Sequence, residues 1–249
     1  MNPTDAHGSA GGRIHWLVGV LAVLLFGVLM ALGTWQVQRL QWKEELIAMI
    51  GERTRSQPLP LPAVERLFAD SGDVEYTPTT VKGEFNHSAE RHFFATHDGQ
   101  SGFFIYTPLR LEDRRLIFVN RGFVPFELKD PATRPDSEVA GLRMITGLAR
   151  NPLPEKPSAL VPDNDPDKNI FFWKDREAFA ASAGLGSEKI VPFFIDADDT
   201  PNPGGWPVGG VTIISLPNSH LQYAVTWYGL AAVLAGVVGV VWWGRRKPR

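Results

Sequence analysis

His220 opens the stretch Asn218 to Ala231, NSHLQYAVTWYGLA, and its imidazole is the side chain best suited to ligand chemistry in this sequence. At about 100° per residue, His220, Tyr223, Trp227 and Ala231 fall on one helical stripe. Such a stripe can present a ring nitrogen to a metal centre beside a flat aromatic wall. It can equally be an interfacial histidine, hydrogen-bonded near a helix start, among belt aromatics. A second set, Trp35, Gln36 and Arg39, lies in Leu32 to Lys43, LGTWQVQRLQWK. These side chains can form a facing wall, or they can show ordinary belt and snorkelling behaviour. The third set is Asn120, Arg121 and Gly122 in Val119 to Pro125, VNRGFVP. It reads as a strand-ending turn in which Gly122 supplies an unusual φ, with Arg121 alternatively contacting a partner.

Other chemistry is poorly represented. His87, His92 and His97 recur every five residues, which puts alternate rings on opposite faces of a strand, and solvent-exposed strand or turn positions are expected. No nucleophile–base pattern, phosphate loop or zinc-protease motif occurs, so no enzyme is expected. The absence of cysteine excludes disulfides and thiolate metal sites.

The elements that position these residues are concentrated at the two ends of the chain. The mean hydropathy of -0.10 conceals this unevenness. Residues 14–38 carry no charge and meet the requirement of roughly 20 apolar residues for a membrane span. Residues 220–244 form a second such run, and Trp16, Trp35, Trp227, Trp242 and Trp243 lie near the span ends. The basic tail, 245–249, is expected in the cytoplasm, which returns the tail 1–13 to the same side and places 39–219 in the periplasm. An alternative for the first span is a signal peptide cleaved near Ala31-Leu32-Gly33, although Trp35 and a helical pattern follow at once. Gly27 and Ala31 in one span, and Ala231, Ala235 and Gly239 in the other, suit close helix packing, or are simply common membrane residues. Pro217, then Ser219 with Gln222 as a capping box, predicts a helix starting at His220.

Between the spans, Glu44 to His220 holds 18 Lys and Arg against 26 Asp and Glu, which argues against nucleic-acid binding. Helical character continues to about Arg53, prolines hold Ser56 to Pro62 extended, and a short helix is expected over Pro62 to Ala69. Strands are predicted at Thr79 to Phe85, His92 to Thr96, Phe103 to Leu111, Leu116 to Asn120 and Met144 to Leu148. Asp98-Gly99 and Glu112-Asp113 would close hairpins. After a loop over Asn151 to Asp167 come a strand at Ile170 to Trp173, a helix at Asp175 to Ala183, and strands at Val191 to Asp196 and Val211 to Leu216. The fold class expected is a membrane protein with two transmembrane helices flanking an α+β, antiparallel-sheet and barrel-like domain.

The three motifs, in this order and at these positions, resemble the Surfeit-locus (Surf-one) family of cytochrome c oxidase assembly factors. Phe123 stands where the family usually has Trp. The resemblance implies a factor in the bacterial cytoplasmic (inner) membrane that binds heme a transiently and assists its insertion into oxidase subunit I. The heme a synthesis machinery is a further implied partner. It also implies that His220 is the axial ligand to heme iron. Tyr223, Trp227 and Trp35 would then supply the flat wall, and Arg39 or Lys43 would meet the propionates, with Arg121 a further candidate if it is not part of a turn. Bacterial origin is expected from the lack of an Arg- and Ser-rich leader. Two other readings stay open: a heme-independent chaperone holding subunit I, and a membrane-anchored enzyme or sensor whose site lies in the central domain.

Overall fold

The computed structural model describes residues 8–186, 189–212 and 218–246, with side chains from 16 to 244 within those ranges. It divides into two compact units, Met1–Met49 with Ser215–Arg249, and Ile50–Ile214. Residues 213–217, which contain most of the expected last strand and Pro217, lie outside the described residues, as do the side chains of the basic tail.

The first unit is a helix pair. Helix α1 (Gly8–Arg55) and helix α4 (His220–Arg246) are both long and apolar enough to cross a membrane. They meet along a seam of Leu29, Gly33 and Gln36 on α1 and Ala224 and Ala231 on α4, all buried. The three- and four-residue intervals are those of antiparallel helices packing at a shallow angle. Gly33 is what allows the approach, because a Cβ there would sit 2.7 Å from the Tyr228 ring. Gly27 and Ala31 are exposed instead, being about 200–240° round the helix from Gly33. Ala231 lies in the seam, whereas Ala235 and Gly239 join Gly19, Ala22 and Phe26 in an apolar groove of about 490 Å³ further along the pair.

The second unit is a seven-stranded mixed sheet in the order β1-β2-β6-β7-β5-β4-β3, with a further β2–β4 pairing that joins the strands into a ring. The strands are β1 (Leu59–Pro60), β2 (Thr77–Phe85), β3 (Arg91–His97), β4 (Gln100–Leu111), β5 (Leu116–Pro125), β6 (Arg143–Arg150) and β7 (Phe194–Ala197). Most pairings are antiparallel, while β1–β2 and β5–β7 are parallel. Asp98 and Gly99, with φ of 49° and 78°, close the β3–β4 hairpin as a two-residue turn.

Strand β5 is the central element, with eight consecutive buried residues. It separates two parts of the core. Ile117 and Val119 pack with Leu61 and Val64 of helix α2 (Leu61–Ser71). Phe118 points the other way, to Phe179 of helix α3 (Arg176–Ser182), where Phe171, Tyr106 and Phe194 also gather. The Phe179 ring lies 4.4 Å from that of Phe171 and 5.3 Å from that of Tyr106, within the range of favourable edge contacts. Asp175 caps α3 by accepting the Ala178 N–H. The strand expected at Ile170 to Trp173 is reduced to isolated bridges at Ile170 and Phe171.

Candidate functional site

At the start of α4, Asn218 Oδ1 accepts the His220 N–H, so Asn218 rather than Ser219 supplies the capping side chain. His220 Nδ1 lies 2.7 Å from Gln36 Oε1 on α1, and Gln36 is buried in the seam. A carbonyl oxygen can only accept, so in this bond Nδ1–H is the donor and Gln36 Oε1 the acceptor. Nε2 makes no hydrogen bond among the described residues. The sequence set Gln36 beside Trp35 and Arg39 as one wall; it is Gln36 that touches the histidine.

Of the other residues expected at the site, only Trp227 lies at the seam. Trp227 is half-buried at the seam, whereas Tyr223 and Trp35 are exposed, at 53% and 54%. Arg39 is exposed too, with its guanidinium stacked 3.9 Å above the Trp42 ring. The seam tyrosine is Tyr228, whose hydroxyl donates to Thr34 Oγ1 at 3.1 Å because the Thr34 hydroxyl already donates to Met30 O. Side chains on a helix lean toward its N-terminus, which carries Tyr228 back over Gly33. The stripe through Tyr223 and the true seam through Ala224 share Trp227 and Ala231, so aromatic content alone did not separate them.

The Asn120-Arg121-Gly122 motif does not end a strand. It lies within β5, which continues to Pro125, and all three residues are buried. The expected φ of Gly122 is present, at 129°, and a Cβ there would fall 2.0 Å from Val208 O. That close approach is used: Phe123 and Val208 exchange backbone hydrogen bonds of 2.8 and 2.9 Å. Asn120 donates to Asp196 Oδ1 and accepts the Gly122 N–H. Arg121 is 2% exposed and donates from Nη2 to Ser137 O at 2.6 Å and Asn202 Oδ1 at 3.2 Å. Burial pulls its pKa down to about 10.

Two buried polar clusters were not legible. In the first, Glu90 accepts from Arg134 and from His92 Nε2, the latter at 2.8 Å, with Arg91 buried alongside. Burial alone would raise the Glu90 pKa, but these hydrogen bonds outweigh it and hold the carboxyl below its ordinary range. His92 is therefore buried, not solvent-facing, and His87 is half-buried with Nε2 3.0 Å from Val139 O. Among the described residues no group of acidic and histidine side chains could hold a metal ion. In the second cluster, Asn120, Thr212 and Arg150 all donate to Asp196, and Arg150 also donates to Glu75 at 2.9 Å. Burial and the Asp196 charge push the Tyr106 hydroxyl pKa well up.

Two membrane-type helices joined by the His220–Gln36 hydrogen bond, with a mixed-sheet domain between them in the sequence, define a membrane protein whose distinctive polar contact is in the helix pair. The model described as the SURF1 family matches residues 23–232, and the chain belongs to that family. Surfeit locus protein 1 of Homo sapiens is 38% identical over 236 residues, covering 88% of this chain and 74% of that protein. Surfeit locus protein 1 of Rattus norvegicus is 36% identical over 235 residues, 88% of this chain and 72% of the relative. A SURF1-like protein of Drosophila melanogaster is 30% identical over 238 residues, with coverages of 88% and 74%.

Proposed function

We propose that this protein is an assembly factor for cytochrome c oxidase that binds heme a at His220 and assists its insertion into oxidase subunit I. The reading includes a two-pass position in the bacterial cytoplasmic membrane, with residues 39–219 in the periplasm. The observation that carries it is the His220–Gln36 hydrogen bond. Metal-ligating histidines characteristically donate their second ring N–H to a carbonyl or carboxylate, which fixes the tautomer and raises the basicity of the ligating nitrogen. With Nδ1 engaged by Gln36, Nε2 is the ring nitrogen that would be offered to an iron centre.

The surrounding residues suit the group. Heme a, when bound, would supply an iron that an imidazole nitrogen can ligate and an isoprenoid tail that favours apolar surroundings. Exposed Tyr223 and Trp35, with half-buried Trp227, offer flat apolar surface beside His220, and Arg39 offers a cation for a propionate. The apolar groove along the same helix pair suits the tail. Gln36 would orient the ring, and the Gly33–Tyr228 contact would hold the two helices in register.

The test is the heme a content of subunit I in cells carrying His220→Ala in place of the wild-type protein. A fall of severalfold is expected, and an unchanged content would contradict the reading. The exposed rings of Trp35 and Tyr223 also suit a heme-independent chaperone that contacts subunit I directly. That alternative predicts undiminished co-purification of subunit I when heme a synthesis is blocked.

A further inference from the structure

The central domain carries a polar pocket that the heme reading leaves unused. It has a volume of about 310 Å³ and includes Arg121, Arg143, Phe85, Val139, Met144 and Ile145 in its lining. Three guanidinium groups, of Arg91, Arg121 and Arg134, are buried around a single buried carboxylate, Glu90, which is committed to Arg134 and His92. A buried charge is ordinarily paired, because leaving water costs several kcal/mol per ion. Arg121 has no carboxylate within ion-pair distance among the described residues. Its donors go instead to neutral oxygens on Ser137 and Asn202, Nη1 lies 3.4 Å from His87 Nδ1, and Nε has no acceptor among the described residues.

The pocket brings a second cation to the same place. Arg143, the first residue of β6, is exposed and also has no ion-pair partner among the described residues. The one acidic side chain in the lining is Asp198, whose Oδ1 is occupied by the Thr200 N–H. The rest of the lining sets polar Thr146, Thr200 and Asn202 beside apolar Val139, Met144 and Ile145, and the Phe85 ring lies 5.0 Å from the Arg121 guanidinium. Two arginines beside Phe85, Val139, Met144 and Ile145 match a planar carboxylate attached to an apolar body, since the guanidinium fork fits carboxylate geometry and these side chains take up the remainder. The volume lies at the lower end of the range for small-molecule sites.

We propose that this pocket binds a small organic carboxylate with an apolar body, held by Arg121 and Arg143. The site is independent of His220, so its failure would leave the heme reading untouched.

The experiment uses the full chain in non-ionic detergent, with benzoate as the probe and benzamide as its uncharged counterpart. Thermal unfolding and calorimetric titration are recorded for wild type, Arg143→Gln and Arg121→Gln. Benzoate is expected to raise the melting temperature saturably, and benzamide to leave it unchanged. Arg143→Gln should weaken benzoate at least tenfold, and Arg121→Gln should abolish its effect. Arg143 is exposed, so its variant decides the matter even if Arg121→Gln does not fold. Equal responses to benzoate and benzamide, or undiminished benzoate affinity in Arg143→Gln, would overturn the proposal and leave Arg121 a purely structural residue.

Discussion

Glu90 is the one carboxylate among three buried arginines, so neutralising it should cost more than an ordinary surface change. Removing one partner of a buried ion pair typically costs about 3–5 kcal/mol, and Glu90→Gln is expected to destabilise the central domain by that order. The pKa of Glu90 is depressed below its ordinary 4.5. Its stabilisation is therefore complete above that value and is lost as pH falls through the depressed one. Denaturant unfolding of the full chain should show a loss of stability below about pH 4.5 that is smaller in Glu90→Gln. An identical acid slope in both proteins would show that Glu90 is not the titrating group. The cluster was invisible in the sequence because Glu90 and Arg134 lie 44 positions apart and no spacing rule links them. The helix start at His220 is legible for the opposite reason, because the polar residues just before it mark a cap; a ligand role for His220 rests on the family resemblance.

Elements were read well where a local pattern decides them, and poorly where tertiary contacts do. The β3–β4 hairpin follows from Asp98-Gly99, and α3 from its Asp175 cap and Gly184 stop. The sequence predicts an end to β5 at Asn120 because Arg121 and Gly122 look like a turn; the strand continues through pairing with β4, from Phe104–Phe123 to Gly102–Pro125, and a bridge from Phe123 to Val208. Gly122→Ala tests this directly. Both its φ and its contact with Val208 O oppose a side chain, and a loss of roughly 3 kcal/mol is expected in equilibrium unfolding. A near-neutral effect would mean that the Val208 segment does not pack there. In the helix pair, Gly33→Ala presses against the Tyr228 ring and should cost about 1–3 kcal/mol of thermal stability. Gly27→Ala, at a position with nothing within 4 Å, should cost nothing.

For the molecule as a whole, the absence of cysteine makes membrane topology measurable with single substitutions. Leu160 is 94% exposed, so Leu160→Cys should fold normally and react with a membrane-impermeant maleimide added to sealed spheroplasts. Reaction only after lysis would place the central domain on the cytoplasmic side and contradict the proposed orientation. The general layout was legible because long uncharged runs carry their own signal, whereas the ring of strands depends on pairings between distant segments. The central claim is that His220 holds heme a, and the most direct measurement is the optical spectrum of the full chain purified from cells that make heme a. The account predicts a coloured wild-type protein and a His220→Ala protein with little or no bound heme. A colourless wild type, or His220→Ala retaining its full heme complement, would contradict it.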